Sequence, residues 1–277
     1  MPELPEVQTI VNDLNDLNIP GTVISKVRVL WKKSLYNATP ALIKKTLLGK
    51  SIHRITRRGK FIVFTFNDAS PMLIHLRMSG RIHISPVTDL RDKHDHVCIA
   101  LNNNTEIRLH DTRKFARVYI GYHTSGVLER LGIEPLSSAF TARTLHTHLH
   151  QHKRSLKPLL LDQSFIAGLG NIYVDESLWK AKLHPTLCSN KVSADAAQKL
   201  RNAIQYVLKK GIKKRGTSLG RGKSNFTSVN KQHGTNKPSL QAYHRTGLPC
   251  TRCGSPITRI IVAQRSTHIC PTCQCDL

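Results

Sequence analysis

The chain begins Met1-Pro2-Glu3, which places an unusual pair of reactive groups at its start. A small residue after an initiator methionine usually allows that methionine to be removed, and removal here would leave the secondary amine of Pro2 as the first group. Such an amine is a nucleophile toward carbonyl and aldose carbons. Glu3 adds a carboxyl group beside it that can donate or accept a proton. The two residues therefore predict covalent chemistry on a sugar or carbonyl carbon.

Four of the seven cysteines form two Cys-x2-Cys pairs near the C-terminus, Cys250 with Cys253 and Cys270 with Cys273. Each pair can aim two thiolates at one ion, and the residues between the pairs can form a hairpin, so the spacing predicts one structural, tetrahedral Zn²⁺ site. The alternative is a small core of reduced cysteines, but this tail has few apolar residues to bury without a metal. Cys275 could replace Cys273 as a ligand, although it breaks the two-residue spacing.

The charge of the chain indicates a polyanionic partner. There are 42 Lys and Arg residues against 17 Asp and Glu, a formal net charge of +25. Affinity for such a partner should fall with salt as counterions are released. A membrane surface is the competing anion, but no apolar run approaches the roughly 20 residues of a transmembrane helix, and the N-terminus lacks the layout of a signal peptide. Aromatic residues are only 5% of the chain, which favours a duplex over a stacked single strand.

These observations predict a soluble, intracellular protein whose cysteines stay reduced or bind metal. Cys98 and Cys188 are then expected to be inert buried thiols. The sequence Gly168-Leu169-Gly170-Asn171 has two interpretations, a phosphate-binding helix N-terminus or a plain corner between helices. The charge of the chain favours the phosphate.

Apolar periodicity divides the chain into a β-rich first half and a helical second half. Val7 to Leu17 has helical spacing, with Pro5 suited to a first turn and Pro20-Gly21 to a stop. Five strands are predicted, with a turn at Asn102-Asn103-Asn104, and together they predict a β-sandwich: Val23 to Trp31, Lys60 to Phe66, Met72 to Leu76, His96 to Leu101 and Glu106 to Leu109.

Beyond about Gly132 the pattern becomes helical. Three helices are predicted, namely Leu145 to Leu161, Ile172 to Ala181 and Ala194 to Lys210. The segment Gly211 to Lys237 is rich in Gly, Lys, Ser and Asn, so we predict a mobile loop there.

Seven motifs in order resemble bacterial formamidopyrimidine-DNA glycosylases through nearly the whole chain. They are MPELPEV at residues 1–7, RRGK at 57–60, HLxMSG at 75–80, DxRxF at 111–115, LLLDQ at 159–163, GLGNIYVDES at 168–177 and the C-terminal cysteine pairs. Leu4, Met78, Arg113 and Phe115 are more similar to this branch than to the related endonuclease VIII.

The resemblance implies an α+β multidomain fold with three parts. They are an N-terminal catalytic β-sandwich with an N-terminal helix (1–131), a helix-two-turn-helix DNA-binding domain with the lesion loop (132–243) and a four-cysteine zinc hairpin (244–277). The implied protein is a monomer that binds damaged double-stranded DNA in a bacterial cytoplasm, associated with the nucleoid.

The resemblance also implies roles for individual residues. Pro2 attacks the anomeric carbon of the damaged nucleoside, and Glu3 protonates the sugar ring oxygen as the ring opens. Lys60 contacts a phosphate and favours the neutral amine. Glu6 orders the site, and its alternative interpretation is an exposed charge at a helix N-terminus.

The remaining roles concern DNA. Met78, Arg113 and Phe115 match the residues that fill the gap left by an extruded base. Four further residues match positions that hold DNA phosphates or the lesion, namely His75, Lys157, Asn171 and Arg265. Arg265 lies between the cysteine pairs, where a hairpin tip would present it to a groove.

The resemblance implies removal of oxidised purines and strand cleavage at the abasic site by β,δ-elimination. The alternatives are an endonuclease VIII-like glycosylase for oxidised pyrimidines and a non-catalytic zinc-ribbon protein. Three departures concern the gap-filling residues, because Arg77 replaces a usual glycine and Thr112 and Ala116 replace a usual proline and glycine. The segment 216–243 also lacks the usual Tyr-Phe-Gln, which leaves the lesion preference open.

Overall fold

The computed structural model describes residues 1–67, 70–121, 123–220 and 226–275. The chain divides into two compact units, one formed by Met1–Arg130 with Lys214–Thr235 and the other by Leu131–Lys213 with Asn236–Leu277. The three domains proposed from the sequence stay a prediction. They differ from the two units chiefly in the segment Lys214–Thr235, which the sequence groups with the helical domain.

The first unit contains two four-stranded antiparallel sheets and helix α1 (Leu4–Asp16). One sheet has the order β1-β6-β7-β5 and the other β2-β3-β4-β8. Their bounds are β1 (Ile24–Val29), β2 (Ile52–Arg58), β3 (Phe61–Phe66), β4 (Met72–His75), β5 (Arg81–Pro86), β6 (Asp95–Leu101), β7 (Thr105–His110) and β8 (Arg117–Tyr119). Residues of both sheets share one apolar core, so the predicted β-sandwich is confirmed.

Helix α1 packs its apolar face into this core and begins earlier than its apolar pattern indicates. Val7, Ile10 and Leu14 are buried in the core, as the helical spacing predicts. The helix starts at Leu4 because Glu3 and Glu6 form a capping box, which satisfies backbone N–H groups that have no partner inside the helix. The capping box therefore fixes the backbone next to Pro2.

Several elements escape sequence-based prediction. Strands β2, β5 and β8 and helices α2 (Pro40–Leu47) and α3 (His123–Glu129) are further elements of the first unit. Only two of the seven residues of strand β2 are buried, and β8 is only three residues long. Such short or mostly polar segments give a weak alternating signal.

The second unit is built from four helices and a C-terminal β-hairpin. The elements are α4 (Ala142–His150), α5 (Leu156–Leu161), α6 (Asn171–Ala181), α7 (Ala194–Lys213), β9 (Thr258–Val262) and β10 (Arg265–Ile269). The apolar face predicted for α7 is buried. Gly211 in α7 is required, because a Cβ there would lie 2.6 Å from the Tyr173 hydroxyl oxygen.

The single helix predicted at Leu145 to Leu161 is wrong, since the chain breaks into α4 and α5. The backbone between them pairs with a distant segment instead of continuing the helix. Leu156 donates its N–H to the Leu187 carbonyl, and Ser189 donates to the Arg154 carbonyl. Apolar periodicity continues across this break, so the sequence pattern does not reveal it.

The mobile loop predicted at Gly211 to Lys237 is wrong at its start and in its packing, although its described residues from Lys214 to Asn236 form neither a helix nor a strand. Residues up to Lys213 complete α7, and Phe226 and Val229 are buried in the core of the first unit. The Asp13 carboxylate accepts the backbone N–H of Val229 at 3.2 Å. Residues 221–225 of the predicted loop lie outside the described residues. Among the helices that the structure describes, none is long and apolar enough to span a bilayer.

Candidate active site and DNA-binding groups

The N-terminal residues lie in a buried polar setting. Pro2 is buried, and the side chains of Glu3 and Glu6 are almost fully excluded from solvent. Glu6 accepts the Glu3 backbone N–H at 2.8 Å and the Thr217 backbone N–H at 2.7 Å. The alternative of an exposed Glu6 charge is therefore excluded. Glu6 joins the start of α1 to the segment Lys214–Thr235.

Gly216 makes this contact possible. Its φ of +84° is unfavourable for side chains, and a Cβ there would lie 2.9 Å from Glu6 Cγ. A glycine is thus needed where the segment approaches Glu6. The sequence gives only the Gly216-Thr217 pair as a signal, and no local pattern indicates its partner.

The charged side chains that affect the pKa of the terminal amine include residues predicted to be functional from the sequence. Burial is the main cause that lowers the pKa of the terminal amine, carried here by Met1. Glu3 and Glu6 oppose this shift, whereas Lys60 and Arg113 reinforce it. A lowered pKa increases the neutral, nucleophilic fraction of an amine. The fold therefore brings Glu3, Glu6 and Lys60 into electrostatic contact with the terminal amine.

Lys60 is held by the turn between β2 and β3, and it is only 5% exposed. Arg57 donates to the Gly59 carbonyl at 2.9 Å and to the Gln8 side chain at 3.0 Å. Because Gln8 belongs to α1, Arg57 ties the Lys60 turn to the helix that carries Glu3. These contacts connect Arg57 and Gly59 of the RRGK motif to the helix that follows Glu3.

His75 ends β4 and is kept neutral by its surroundings. Burial lowers its pKa to about 3, with smaller contributions from Arg77 and Lys60. Its Nδ1 accepts the Arg77 backbone N–H at 3.0 Å. The neutral ring therefore carries its proton on Nε2, and that N–H can donate a hydrogen bond to an anion.

The buried state of His75 predicts a pH dependence of stability. An unfolded histidine titrates near pH 6.5, so between pH 6.5 and 3 the unfolded chain binds more protons than the folded chain. As the pH is lowered through this range, the free energy of unfolding should decrease by up to about 1.4 kcal/mol per pH unit because of His75 alone. In His75→Gln this contribution disappears, so acidification from pH 6.5 to 4.5 should destabilise the variant less than the unmodified protein in urea unfolding.

The matched control is His53→Gln, which removes an exposed histidine. It should keep the pH dependence of the unmodified protein. Identical pH dependences for His75→Gln and the unmodified protein would show that His75 is not held neutral.

Met78, Arg113 and Phe115 lie on exposed loops of the first unit. Met78 is 46% exposed and Phe115 44%, so neither is a core residue. The Arg113 guanidinium lies 5.0 Å from the centre of the Phe115 ring, within the range of a cation–π contact. Large exposed apolar side chains backed by a cation can enter a base stack.

Asp111 joins the two loops that carry these residues. Its fully buried carboxylate accepts the Ser79 hydroxyl at 2.6 Å and the backbone N–H groups of Phe115 and Ala116, each at 2.7 Å. Although burial raises the pKa of Asp111, these hydrogen bonds bring it below its ordinary value. Sequence reasoning did not single out Asp111, whose only signal is its place at the start of the DxRxF motif.

Two of the three departures, Arg77 and Ala116, fit the loops in which they lie. Arg77 has a φ of +55°, a left-handed conformation that explains the usual glycine there. Ala116 is buried, and a Cβ on Gly80 would lie 2.9 Å from its Cβ. The extra methyl group of Ala116 thus fits because residue 80 has no side chain. Lys114, also at positive φ, lies 4.3 Å from the Trp31 ring centre, which adds a cation–π contact to this loop.

In the second unit, the hairpin and α6 bring Asn171 and Arg265 close together in the structure. Ala263 and Gln264 form the hairpin tip, and both have positive φ, as a two-residue type I′ turn requires. Arg265 follows the tip and is exposed. Asn171, the first residue of α6, donates to the Ser266 carbonyl at 2.9 Å. A phosphate here could meet an arginine and a helix N-terminus.

Lys157 differs from the expectation of a DNA phosphate contact. Its side chain is 0% exposed, and its ammonium donates to Asp175 at 2.6 Å and to the Ser266 carbonyl at 2.9 Å. Asp175 also accepts the His268 backbone N–H at 2.9 Å. A buried carboxylate needs such a counter-charge, so Lys157 supports the hairpin that carries Arg265 and does not present its charge to a ligand.

The four cysteines form the only cluster of three or more possible metal ligands among the described residues. Their sulfur atoms all lie within 4.8 Å of one another, and those of Cys253 and Cys270 are 3.4 Å apart. Tetrahedral Zn–S bonds of about 2.3 Å place sulfurs about 3.8 Å apart. The site fits one structural Zn²⁺. Cys275 is exposed and outside the cluster, so Cys273 and not Cys275 completes the cluster.

Comparison with protein families finds three successive matches along the chain. Residues 1–118 match the N-terminal domain of formamidopyrimidine-DNA glycosylase, residues 131–221 match its H2TH domain, and residues 247–274 match the zinc finger found in FPG and IleRS. The third match supports the assignment of zinc to the four cysteines.

Curated relatives and solved structures are similar over nearly the full length. A formamidopyrimidine-DNA glycosylase of Protochlamydia amoebophila is 44% identical, with 99% of each chain covered, and one of Herpetosiphon aurantiacus is 41% identical, covering 99% of this chain and 100% of the relative. A structure of Lactococcus lactis Fpg with DNA containing an abasic site has a TM-score of 0.89 at 33% identity. MutM with DNA containing carbocyclic 8-oxo-G has a TM-score of 0.89 at 34% identity. Both structural matches cover 99% of this chain and 100% of the other.

Proposed function

The chain belongs to the formamidopyrimidine-DNA glycosylase family, and we propose that it both removes the damaged base and cuts the DNA strand from one N-terminal site. As a member of this family it is a base-excision-repair glycosylase that acts on oxidised purines in DNA. The family matches to all three parts disfavour a non-catalytic zinc-ribbon protein. The strand cleavage and the residue roles below are our proposals.

Pro2, freed of Met1, attacks C1′ of the damaged nucleoside. The bond from C1′ to the base breaks, and the base leaves with the bonding electron pair. The attached nitrogen gives up its N–H proton, which regenerates its lone pair, and the departing base takes up a proton. The C1′–O4′ bond then opens as Glu3 protonates O4′ and the nitrogen lone pair forms a C=N bond. The product is an iminium ion between Pro2 and the opened sugar. The observation that carries this proposal is that Pro2 is buried, as are the side chains of Glu3, Glu6 and Lys60, and that these three side chains act electrostatically on the terminal amine.

A secondary amine explains why strand cleavage follows at the same site. Its iminium has no N–H proton to lose, so it stays positively charged and withdraws electrons from C2′. Loss of a C2′ proton then expels the 3′ phosphate, and a second elimination expels the 5′ phosphate. Hydrolysis finally returns the free amine. Glu6 holds the segment that contains Thr217 against α1, and Lys60 keeps the amine neutral and meets a phosphate.

Met78, Arg113 and Phe115 fill the gap in the base stack when the damaged base is extruded. Extrusion costs a few kcal/mol, and exposed Met and Phe side chains can replace the lost stacking. Arg113 can hydrogen-bond the unpaired partner base. Asp111 holds both loops in place before DNA binds. The loops therefore need little further ordering when their side chains fill the gap left by the extruded base.

In the second unit, Arg265 and Asn171 bind DNA phosphates. In the first unit, His75 and Lys60 bind them. One Zn²⁺ held by the four cysteines supplies folding energy to the hairpin and no chemistry. The excess positive charge supports loose binding to bulk DNA, which would place the protein at the nucleoid.

The lesion preference should differ from that of relatives with the usual Tyr-Phe-Gln, which this chain lacks. Formamidopyrimidines have an opened ring and are extruded from base pairs that are already weakened. 8-Oxoguanine stacks and pairs well, so its excision depends more on protein contacts made after extrusion. We expect this protein to excise formamidopyrimidine faster than 8-oxoguanine, by a larger ratio than a relative with the usual segment. Single-turnover excision from matched duplexes opposite cytosine measures the ratio.

An abasic duplex of the same sequence is the control in this assay and should be nicked efficiently to β,δ-elimination products. Equal excision rates for the two lesions would refute the lesion preference alone. Excision without any cleavage of the abasic duplex would refute the proposed lyase.

A further inference from the structure

Helix α4 and the residues just after it carry four alternating histidines that the proposed function does not use. They are His146, His148, His150 and His152. Residues four apart on a helix lie on the same face, one turn from each other. The alternation therefore creates two separate pairs, His146 with His150 and His148 with His152.

The rings of His146 and His150 lie against each other. Their centres are 4.3 Å apart, and their planes are tilted by 44°. Two histidines at this spacing on one helical face can bind one metal ion together. Leu145 and Leu149, on the buried face of α4, anchor the helix so that both rings stay on the same side.

A second contact fixes the tautomer of the neutral His150 ring. Its Nε2 lies 2.9 Å from the Val192 carbonyl oxygen. A carbonyl only accepts hydrogen bonds, so Nε2 carries the proton and Nδ1 of the neutral ring keeps a lone pair. Metal-binding histidines typically donate their other ring N–H in this way, which fixes the tautomer and orients the ring. His150 thus has the hydrogen bond expected of a metal ligand.

The Val192 carbonyl is itself held in place. Val192 is buried, and its N–H donates to the Ser189 carbonyl at 3.2 Å.

His146 is half-buried, and its ring makes no hydrogen bond within the part of the chain that the structure describes. Either nitrogen of His146 is therefore available to a metal.

The other pair is arranged differently. The rings of His148 and His152 both meet Phe165 edge-on, with centres 6.4 Å and 5.5 Å from its ring. Within the described residues, each of these two rings packs against Phe165 and not against the other histidine. This pair supplies a matched control on the same segment.

We propose that His146 and His150 form a second metal site, which binds one divalent transition ion through two imidazoles, with water completing its coordination. Imidazole suits Zn²⁺, Ni²⁺ and Cu²⁺, whereas Ca²⁺ and Mg²⁺ require oxygen ligands. No third possible ligand joins this pair among the described residues. The ion at this site is therefore exchangeable, in contrast to the four-cysteine site.

Calorimetric titration of the zinc-loaded, full-length protein with Ni²⁺ tests the proposal. We expect one ion per chain beyond the zinc, no competition from Mg²⁺, and binding weakened by about 100-fold or more in His146→Ala and His150→Ala. Loss of even an indirect partner of a metal ligand costs about 10–100-fold. The double variant His148→Ala/His152→Ala should bind Ni²⁺ like the unmodified protein.

Imidazole nitrogen NMR with added Zn²⁺ gives a second readout. The Nδ1 resonance of His150 should shift to that of a metal-bound nitrogen while Nε2 keeps its proton. Far-UV circular dichroism and nicking of an abasic duplex verify that each variant is folded. Absence of Ni²⁺ binding, unchanged binding in His146→Ala, or loss of binding only in the His148/His152 variant would each overturn the proposal.

Discussion

Glu3→Gln should slow excision of formamidopyrimidine by about 10²–10⁴-fold, the usual contribution of a positioned acid or base. Glutamine has nearly the same shape as glutamate and can still accept the backbone N–H bond of the capping box. It cannot donate the proton that O4′ needs as the sugar ring opens. The fold should therefore persist while the chemical step fails. Single-turnover excision with enzyme in excess measures this step without product release.

An abasic duplex separates this role from a general loss of the site. Part of an abasic sugar is already an open aldehyde, which Pro2 can attack without protonation of O4′. Nicking of the abasic duplex by Glu3→Gln should thus fall much less than excision. Equal losses on both substrates would show that Glu3 shapes the site, and unchanged excision would remove it from the mechanism.

Cys253→Ser should release zinc and weaken duplex binding by about tenfold or more. The cysteine sulfurs are close enough to share one ion, and the energy of binding this ion is folding energy for the hairpin. Without it, Arg265 loses its fixed position after the hairpin tip. The first unit has its own core, so its cooperative unfolding should remain. Metal analysis and duplex titration at fixed salt are the measurements.

Cys275→Ser is the matched control, because Cys275 is exposed and outside the cluster. It should keep both the zinc and the duplex affinity. Loss of zinc from Cys275→Ser would make Cys275 a ligand, and retention of zinc in Cys253→Ser would remove Cys253 from the site. Either result would contradict the geometry.

The sequence predicts the parts of this molecule that depend on local pattern. The apolar face of α1, five of the eight sandwich strands and the four clustered cysteines follow from spacing alone, because burial and tetrahedral coordination repeat at fixed intervals. The capping box of Glu3 and Glu6 is also local, but apolar spacing does not indicate it. Ordered motifs add the family and its residue roles.

Long-range contacts account for what the sequence does not predict. The Glu6–Thr217 bond joins residues far apart in the chain, and nothing near either residue indicates the other. Lys157 is similar, since only the fold reveals that Asp175 and the hairpin enclose it. The break between α4 and α5 arises from pairing with residues 187–189. Each case depends on a partner that local periodicity cannot identify.

The most direct test of the account is the identity of the residue that bonds to DNA. Borohydride reduction during the reaction should trap a covalent adduct whose tryptic peptide begins at Pro2, with Met1 absent. An N-terminal extension should abolish both the adduct and strand cleavage, because it converts the Pro2 amine into an amide. An adduct mapped to Lys60, or trapping that survives the extension, would contradict the central claim that the N-terminal proline is the nucleophile.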